Sequence, residues 1–135
     1  MTLPAHDHLF DPPGPLPVLI DPDDLARPFI LDCDLTYRGP VARVHVEKGF
    51  RCDMASVPRW AWPFIPRTDP RIVHAAVVHD RLYELALGER AVADAVFLTI
   101  MKKKGMPAIK RWAAYLAVRL FGGAAWRKAR ASNLN

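Results

Sequence analysis

The sequence predicts an α+β fold: a small N-terminal antiparallel β-hairpin packed on a bundle of three to four helices, with an extended, acidic, Pro-rich N-terminal arm. Three observations carry this expectation. Residues 29–47 alternate apolar and polar side chains with the period of a half-buried strand. Residues 69–121 instead space their apolar side chains helically, with Pro70, Gly88, Gly105, Pro107 and Gly122 as punctuation. About half of the 13 prolines fall within the first 28 residues, beside several aspartates.

In chain order, residues 1–28 read as an extended arm, with Leu16 to Ile20 as its one candidate strand. Residues 29–135 read as a single domain. Phe29, Leu31, Cys33, Leu35 and Tyr37 share one face of a strand, and Arg38-Gly39-Pro40 makes the turn. Ala42, Val44 and Val46 then alternate with Arg43, His45 and Glu47, which leaves His45 on the polar face. Ser56 suits the N-cap of a short turn through Trp60 and Trp62, with Asp53 in the loop before it.

The central helix follows. Asp69 can cap it, Pro70 suits its first position and Gly88 its end. At about 100° per residue, Ile72, Ala76, His79 and Tyr83 form one stripe and Ala75, Val78, Leu82 and Leu85 the next. A second helix, about Glu89 to Lys104, carries Arg90, Asp94, Phe97 and Met101 on one stripe. The short joint at Gly88-Glu89 makes the two helices antiparallel. Asp94 then comes level with Tyr83 and about one turn from His79, where it can accept from both side chains. A further helix from Pro107 to Phe121 has Ile109, Trp112, Leu116 and Leu120 as its apolar stripe and Arg111, Tyr115 and Arg119 as its polar one. Gly122-Gly123 breaks it, and a short basic end with Trp126 follows.

Bulk properties bound the function classes. At 135 residues, 51% hydrophobic and 24% charged, the chain is globular and can bury a modest core. Cys33 and Cys52 lack disulfide or zinc-ligand spacing and are expected as free thiols in a reducing compartment. The first ten residues lack a signal-peptide pattern, and Ala113 to Trp126, interrupted by Arg119, is too short to span a bilayer. Net charge is +5, unevenly spread. Residues 1–34 carry seven aspartates against Arg27, whereas no acidic residue follows Met101. That polarity suits either solvated helix faces or a surface for nucleic acid, an anionic membrane or an acidic partner.

The chemistry-bearing candidates centre on His79. With Asp94 as orienter and Tyr83 beside it, its imidazole is a candidate general base. Asp53, if it faces His79, joins the catalytic candidates. Asp80 and Asp53 are candidate oxygen ligands for a hard cation such as calcium or magnesium; no cofactor is firmly implied. The competing reading is a buried polar network that knits two helices and the Asp53 loop together. His74 and His79 point about 140° apart, which does not suit a zinc site. His6 and His8 sit in the arm. Arg59, Arg90 and Arg119 are candidate binding residues, and Trp60, Trp62, Arg67, Trp112 and Trp126 are residue types that stack on nucleotides or pack as core and rim.

Four blocks in order, CDMASVPR at 52–59, AAVVHDRLY at 75–83, RAVADAVF at 90–97 and AVRLFG at 117–122 with Trp126 after it, resemble the phage and prophage family called domain of unknown function 1353. The likeness covers about residues 48–126, with Cys52 where the family pattern has threonine. It implies a bacteriophage or prophage late protein, virion- and tail-associated, made in the host cytoplasm and then carried in the particle among other virion proteins. It implies no established reaction. Locally, His79-Asp80-x-x-Tyr83 followed by Asp94 is similar to the active-site helices of phospholipase A2. That likeness implies His79 as base, Asp80 as a calcium ligand, and Tyr83 and Asp94 as orienters of His79. Tyr37-Arg38-Gly39-Pro40 is similar to the glycine-rich calcium loop of that family's viral members, but no second glycine follows Pro40, and the disulfides of its secreted members are absent. Three functions therefore stand as expectations: a virion component whose cluster is structural, a metal-assisted hydrolase of phospholipid or of another cell-envelope ester or amide, and a nucleic-acid-binding accessory protein.

Overall fold

The computed structural model describes residues 9–24, 27–52, 63 and 69–134. It is α+β, with six short strands and four helices among these residues. The chain divides into two compact units, Met1–Asp53 and Met54–Asn135.

The first unit holds two three-stranded antiparallel sheets. One has the order β1 (Phe10–Asp11), β4 (Leu35–Arg38), β5 (Arg43–Val46), and the other β2 (Val18–Ile20), β3 (Phe29–Leu31), β6 (Arg51–Cys52). The expected hairpin is β4–β5, with Leu35 opposite Val46 and Tyr37 opposite Val44; the Gly39 N–H donates to the Ala42 carbonyl across the turn. Gly39 is required there, because a Cβ at that position would overlap the Tyr37 ring and hydroxyl.

The expected continuous strand from Phe29 to Tyr37 is instead two strands in different sheets. Asp32-Cys33-Asp34 interrupts it, and the Asp34 carboxylate accepts the Lys48 N–H, from a residue 14 positions on, at 2.8 Å. The alternation survives the break, since Phe29, Leu31, Leu35 and Tyr37 are all buried. Two strands come from the proline-rich first 28 residues. Leu19 pairs with Ile30, and Phe10 pairs with Tyr37, its ring centroid 5.4 Å from the tyrosine's. Asp21 and Asp24 reach across to Arg51 at 2.9 and 3.3 Å. His45 is exposed, its Nδ1 3.0 Å from the Thr36 hydroxyl.

The second unit contains α1 (Pro70–Leu85), α2 (Arg90–Lys103), α3 (Ala108–Phe121) and α4 (Gly123–Asn133). Asp69 caps α1 as expected: its carboxylate accepts the Arg71 N–H at 2.9 Å and also holds the Arg71 guanidinium. The stop comes earlier than Gly88. Ala86 takes the left-handed conformation, φ 47°, and its N–H donates to the Leu82 carbonyl. A non-glycine residue is strained there by roughly 1 kcal/mol or more. It is held by burial in an apolar cluster with Tyr83, Ala93 and Trp126. The last carbonyls of α1 are also satisfied from α4, where the Asn133 amide donates to Glu84 and Leu85, each at 2.9 Å.

Contacts descend along α1 as they ascend along α2, from Ala86 with Ala93 through Tyr83 with Asp94 to His79 with Phe97, so the pair is antiparallel. Helix α3 corrects the expected stripes. Its inward residues are Ala114, Ala117 and Val118, while Ile109, Trp112, Leu116 and Leu120 are exposed. The helix is oriented by what its inward side must supply, the Arg119 guanidinium, and small side chains let it approach closely enough to do so.

Replacing Asp69 by Ala removes a side-chain acceptor at the start of α1 and should lower the unfolding free energy by about 1 kcal/mol, read from urea denaturation.

Candidate functional site

Asp94 is fully buried one turn into α2 and is the centre of the site. Its Oδ1 lies 2.7 Å from the His79 Nε2 and accepts the Tyr83 hydroxyl at 2.6 Å, both side chains standing one turn apart on α1. Its Oδ2 accepts Arg119 Nη1 from α3 at 2.7 Å and Arg90 Nη1 from its own helix at 3.4 Å. One carboxylate thus ties three helices together. Arg90 extends the tie: its Nη1 and Nη2 donate to the Val118 and Arg119 carbonyls near the end of α3, both at 3.1 Å, and the Val118 oxygen also accepts the Gly122 N–H.

Aromatic packing closes the cluster. The His79 ring lies between Tyr83, 4.2 Å away by centroids, and Phe97 at 4.8 Å. Trp126 of α4 meets Tyr83 edge-on at 5.2 Å. Gly122 sits against the same hydroxyl, since a Cβ there would come within 2.6 Å of both Tyr83 Oη and the Val118 carbonyl oxygen.

The electrostatics follow from burial and pairing. Burial alone would raise the Asp94 carboxyl, but hydrogen bonds from His79, Tyr83 and Arg119 outweigh it and hold the group below the ordinary 3.8. Burial pushes the His79 imidazole below 6.5; the bond to Asp94 opposes this, and the Arg90 charge adds to it. The imidazole is therefore neutral. Because the carboxylate only accepts, its proton sits on Nε2, facing Asp94. Burial and the Asp94 bond raise the Tyr83 phenol far above 10.0, so it stays a donor. The bond to Asp94 raises the Arg119 guanidinium further.

Of the sequence candidates, the structure brings His79, Tyr83, Asp94, Arg90 and Arg119 together. The two arginines, read from sequence as binding residues, point their guanidinium groups at this internal carboxylate. Their role had signals: Arg90 stands four residues before Asp94 on one helix face, and a buried carboxylate demands a cation. Asp80 follows His79 on α1 and is half-buried. Trp126, weighed for nucleotide stacking, is buried in the helical cluster. Among the described residues no group of three or more His, Cys, Asp and Glu side chains is arranged to hold a metal ion. Asp53, Ser56, Arg59, Trp60, Trp62, Arg67, His6 and His8 lie outside the described residues.

The chain belongs to the family described as Protein of unknown function (DUF1353), whose model matches residues 29–118. It matches no curated protein and no solved structure.

Two measurements probe this site. Tyr83→Phe removes one donor from a charged acceptor and should cost about 1–3 kcal/mol, whereas Asp94→Asn disrupts the bonds to two guanidinium groups and should cost about 3–5 kcal/mol, both read by chemical denaturation. Both His79 and Asp94 titrate lower in the folded chain, so their stability is complete above the unfolded values and is lost as pH falls toward the folded ones. The wild-type melting temperature should therefore begin to fall just below pH 6.5, and His79→Gln should flatten that first part of the curve while leaving the fall near the carboxylate range.

Proposed function

We propose that the chain is a structural or accessory component of a bacteriophage or prophage particle, associated with the tail, in which the His79–Tyr83–Asp94–Arg90–Arg119 cluster locks the helices instead of turning over a substrate. The phage assignment rests on resemblance of the motif blocks to that family. The structural role rests on one observation: the His79 side chain is 1% exposed, and the Asp94 carboxylate beside it is 0% exposed with four donors on its two oxygens. A general base needs an unprotonated nitrogen that a substrate proton can reach. Here Nε2–H is turned to Asp94, and Nδ1 belongs to a ring packed between Tyr83 and Phe97.

Eight residues of the three motif blocks within the described helices meet at one point. His79 and Tyr83, Arg90, Asp94 and Phe97, and Arg119, Gly122 and Trp126 all touch the same carboxylate, phenol or imidazole. Every one of them has a packing or hydrogen-bonding reason to be the residue it is. The local sequence likeness to phospholipase A2 implies Asp94 as orienter, a role with which its bonds to His79 and Tyr83 are compatible. It does not extend to an open imidazole, and the burial weighs against hydrolysis.

The test joins assembly to stability. In particles purified from the phage or prophage carrying the gene, the chain should be found by mass spectrometry. His79→Asn should lower its melting temperature and its incorporation together. Absence of the wild-type chain from purified particles overturns the virion assignment. A His79→Asn chain that folds and incorporates normally but loses hydrolysis of a phospholipid ester shown by the wild type would instead establish the enzyme.

A further inference from the structure

Among the described residues of the helical unit, one face of α3 is left uncovered. Ile109 is 87% exposed, Trp112 48%, Leu116 53% and Leu120 74%. At about 100° per residue these four fall within an arc of about 80°, opposite the buried Val118, and run along roughly 16 Å of helix. Single exposed apolar side chains are ordinary on a protein surface; a contiguous ridge of four large ones marks a contact surface.

The charges on α3 and on the helices before and after it select its occupant. Lys102 and Lys103 are exposed at the end of α2, Lys110 on α3, and Arg127 and Lys128 on α4. No acidic side chain occurs anywhere from Lys102 to the last residue. We infer that α3 docks on the surface of an anionic lipid bilayer. Its aliphatic ridge enters the boundary between headgroups and acyl chains, and the surrounding cations meet lipid phosphates. This is the arrangement of an interfacial amphipathic helix, with Trp112 at the edge of the ridge, where an indole is favoured at headgroup level. The helix lies on the bilayer and does not cross it, since no described helix is long and apolar enough to span one.

Other occupants fit less well. A second copy meeting this face two-fold would bring Lys110 and the basic segment from residue 102 onward of both copies together, a like-charge juxtaposition. Nucleic acid would use the cations but would leave Ile109, Leu116 and Leu120 with nothing apolar to cover them. The inference does not rest on the particle assignment, because it uses only the faces of α3 and the charges beside them.

Cosedimentation of the full chain with vesicles tests it. The wild type should partition onto vesicles of equal parts phosphatidylcholine and phosphatidylglycerol, weakly onto phosphatidylcholine alone, and less as salt is added. The double variant Leu116→Ser, Leu120→Ser, altered only at exposed positions, should keep the wild-type melting temperature and lose partitioning by at least about tenfold. Ile109→Ser, in the exposed first turn, gives a second variant should the first misfold. The inference is overturned by no partitioning onto the anionic vesicles, by equal partitioning onto neutral ones, or by folded variants that bind as the wild type does. It is also overturned if the leucine substitutions dissolve a lipid-free dimer, which would assign the ridge to a second copy, or if the chain is retained on duplex DNA but not on vesicles.

Discussion

The helical unit depends on the burial of one charge. Asp94 is withdrawn wholly from water one turn into α2, where an uncompensated carboxylate would cost several kcal/mol even after the surroundings relax. The cost is offset by geometry: two guanidinium groups on one oxygen, a phenol and an imidazole on the other. Each donor is brought by a particular helix position. Tyr83 and His79 stand four residues apart on α1, Arg90 stands four before Asp94 on α2, and Arg119 comes from the last turn of α3. The requirement to satisfy that carboxylate therefore specifies which faces of α1, α2 and α3 meet.

The same requirement explains why α3 lies as it does. Hydrophobic patterning alone would turn Ile109, Trp112, Leu116 and Leu120 inward, and they are outward. The observed orientation instead brings Arg119 to Asp94 and the Val118 and Arg119 carbonyls to the Arg90 guanidinium. The inward face that remains is built of Ala114, Ala117, Val118 and Gly122, small enough for the short bonds that Asp94 demands. A polar constraint has prevailed over an apolar stripe. The stripe left outside is available for another surface, so the internal lock and the external ridge are two faces of one helix orientation.

Much of this was legible in the chain. The cap at Asp69, the antiparallel joint after Leu85 and the meeting of His79, Tyr83 and Asp94 follow from local chemistry and helical arithmetic, since positions a turn apart on facing helices have few ways to miss each other. The hairpin at Gly39 follows from alternation. What was not legible depends on partners far away in sequence. The strand break at Asp32–Asp34 depends on Lys48, and the left-handed Ala86 depends on Trp126, forty residues on. The facing of α3 required weighing an arginine's need for a carboxylate against four apolar side chains, and periodicity counts only the latter.

A fully satisfied polar cluster of this kind contributes less to net stability than its many short bonds suggest, because desolvation consumes most of what they return. Its stronger effect is on uniqueness. Sliding α2 by one turn along α1, about 5.4 Å, would still pair alanine, valine and phenylalanine with apolar neighbours. The same slide would carry Asp94 away from both Tyr83 and His79 and leave a charge facing hydrocarbon. An apolar seam tolerates several registers, whereas this one tolerates a single register. Asp94 and its four donors are required together, because loss of the carboxylate strands two guanidinium groups and loss of a donor leaves a buried oxygen short of a partner.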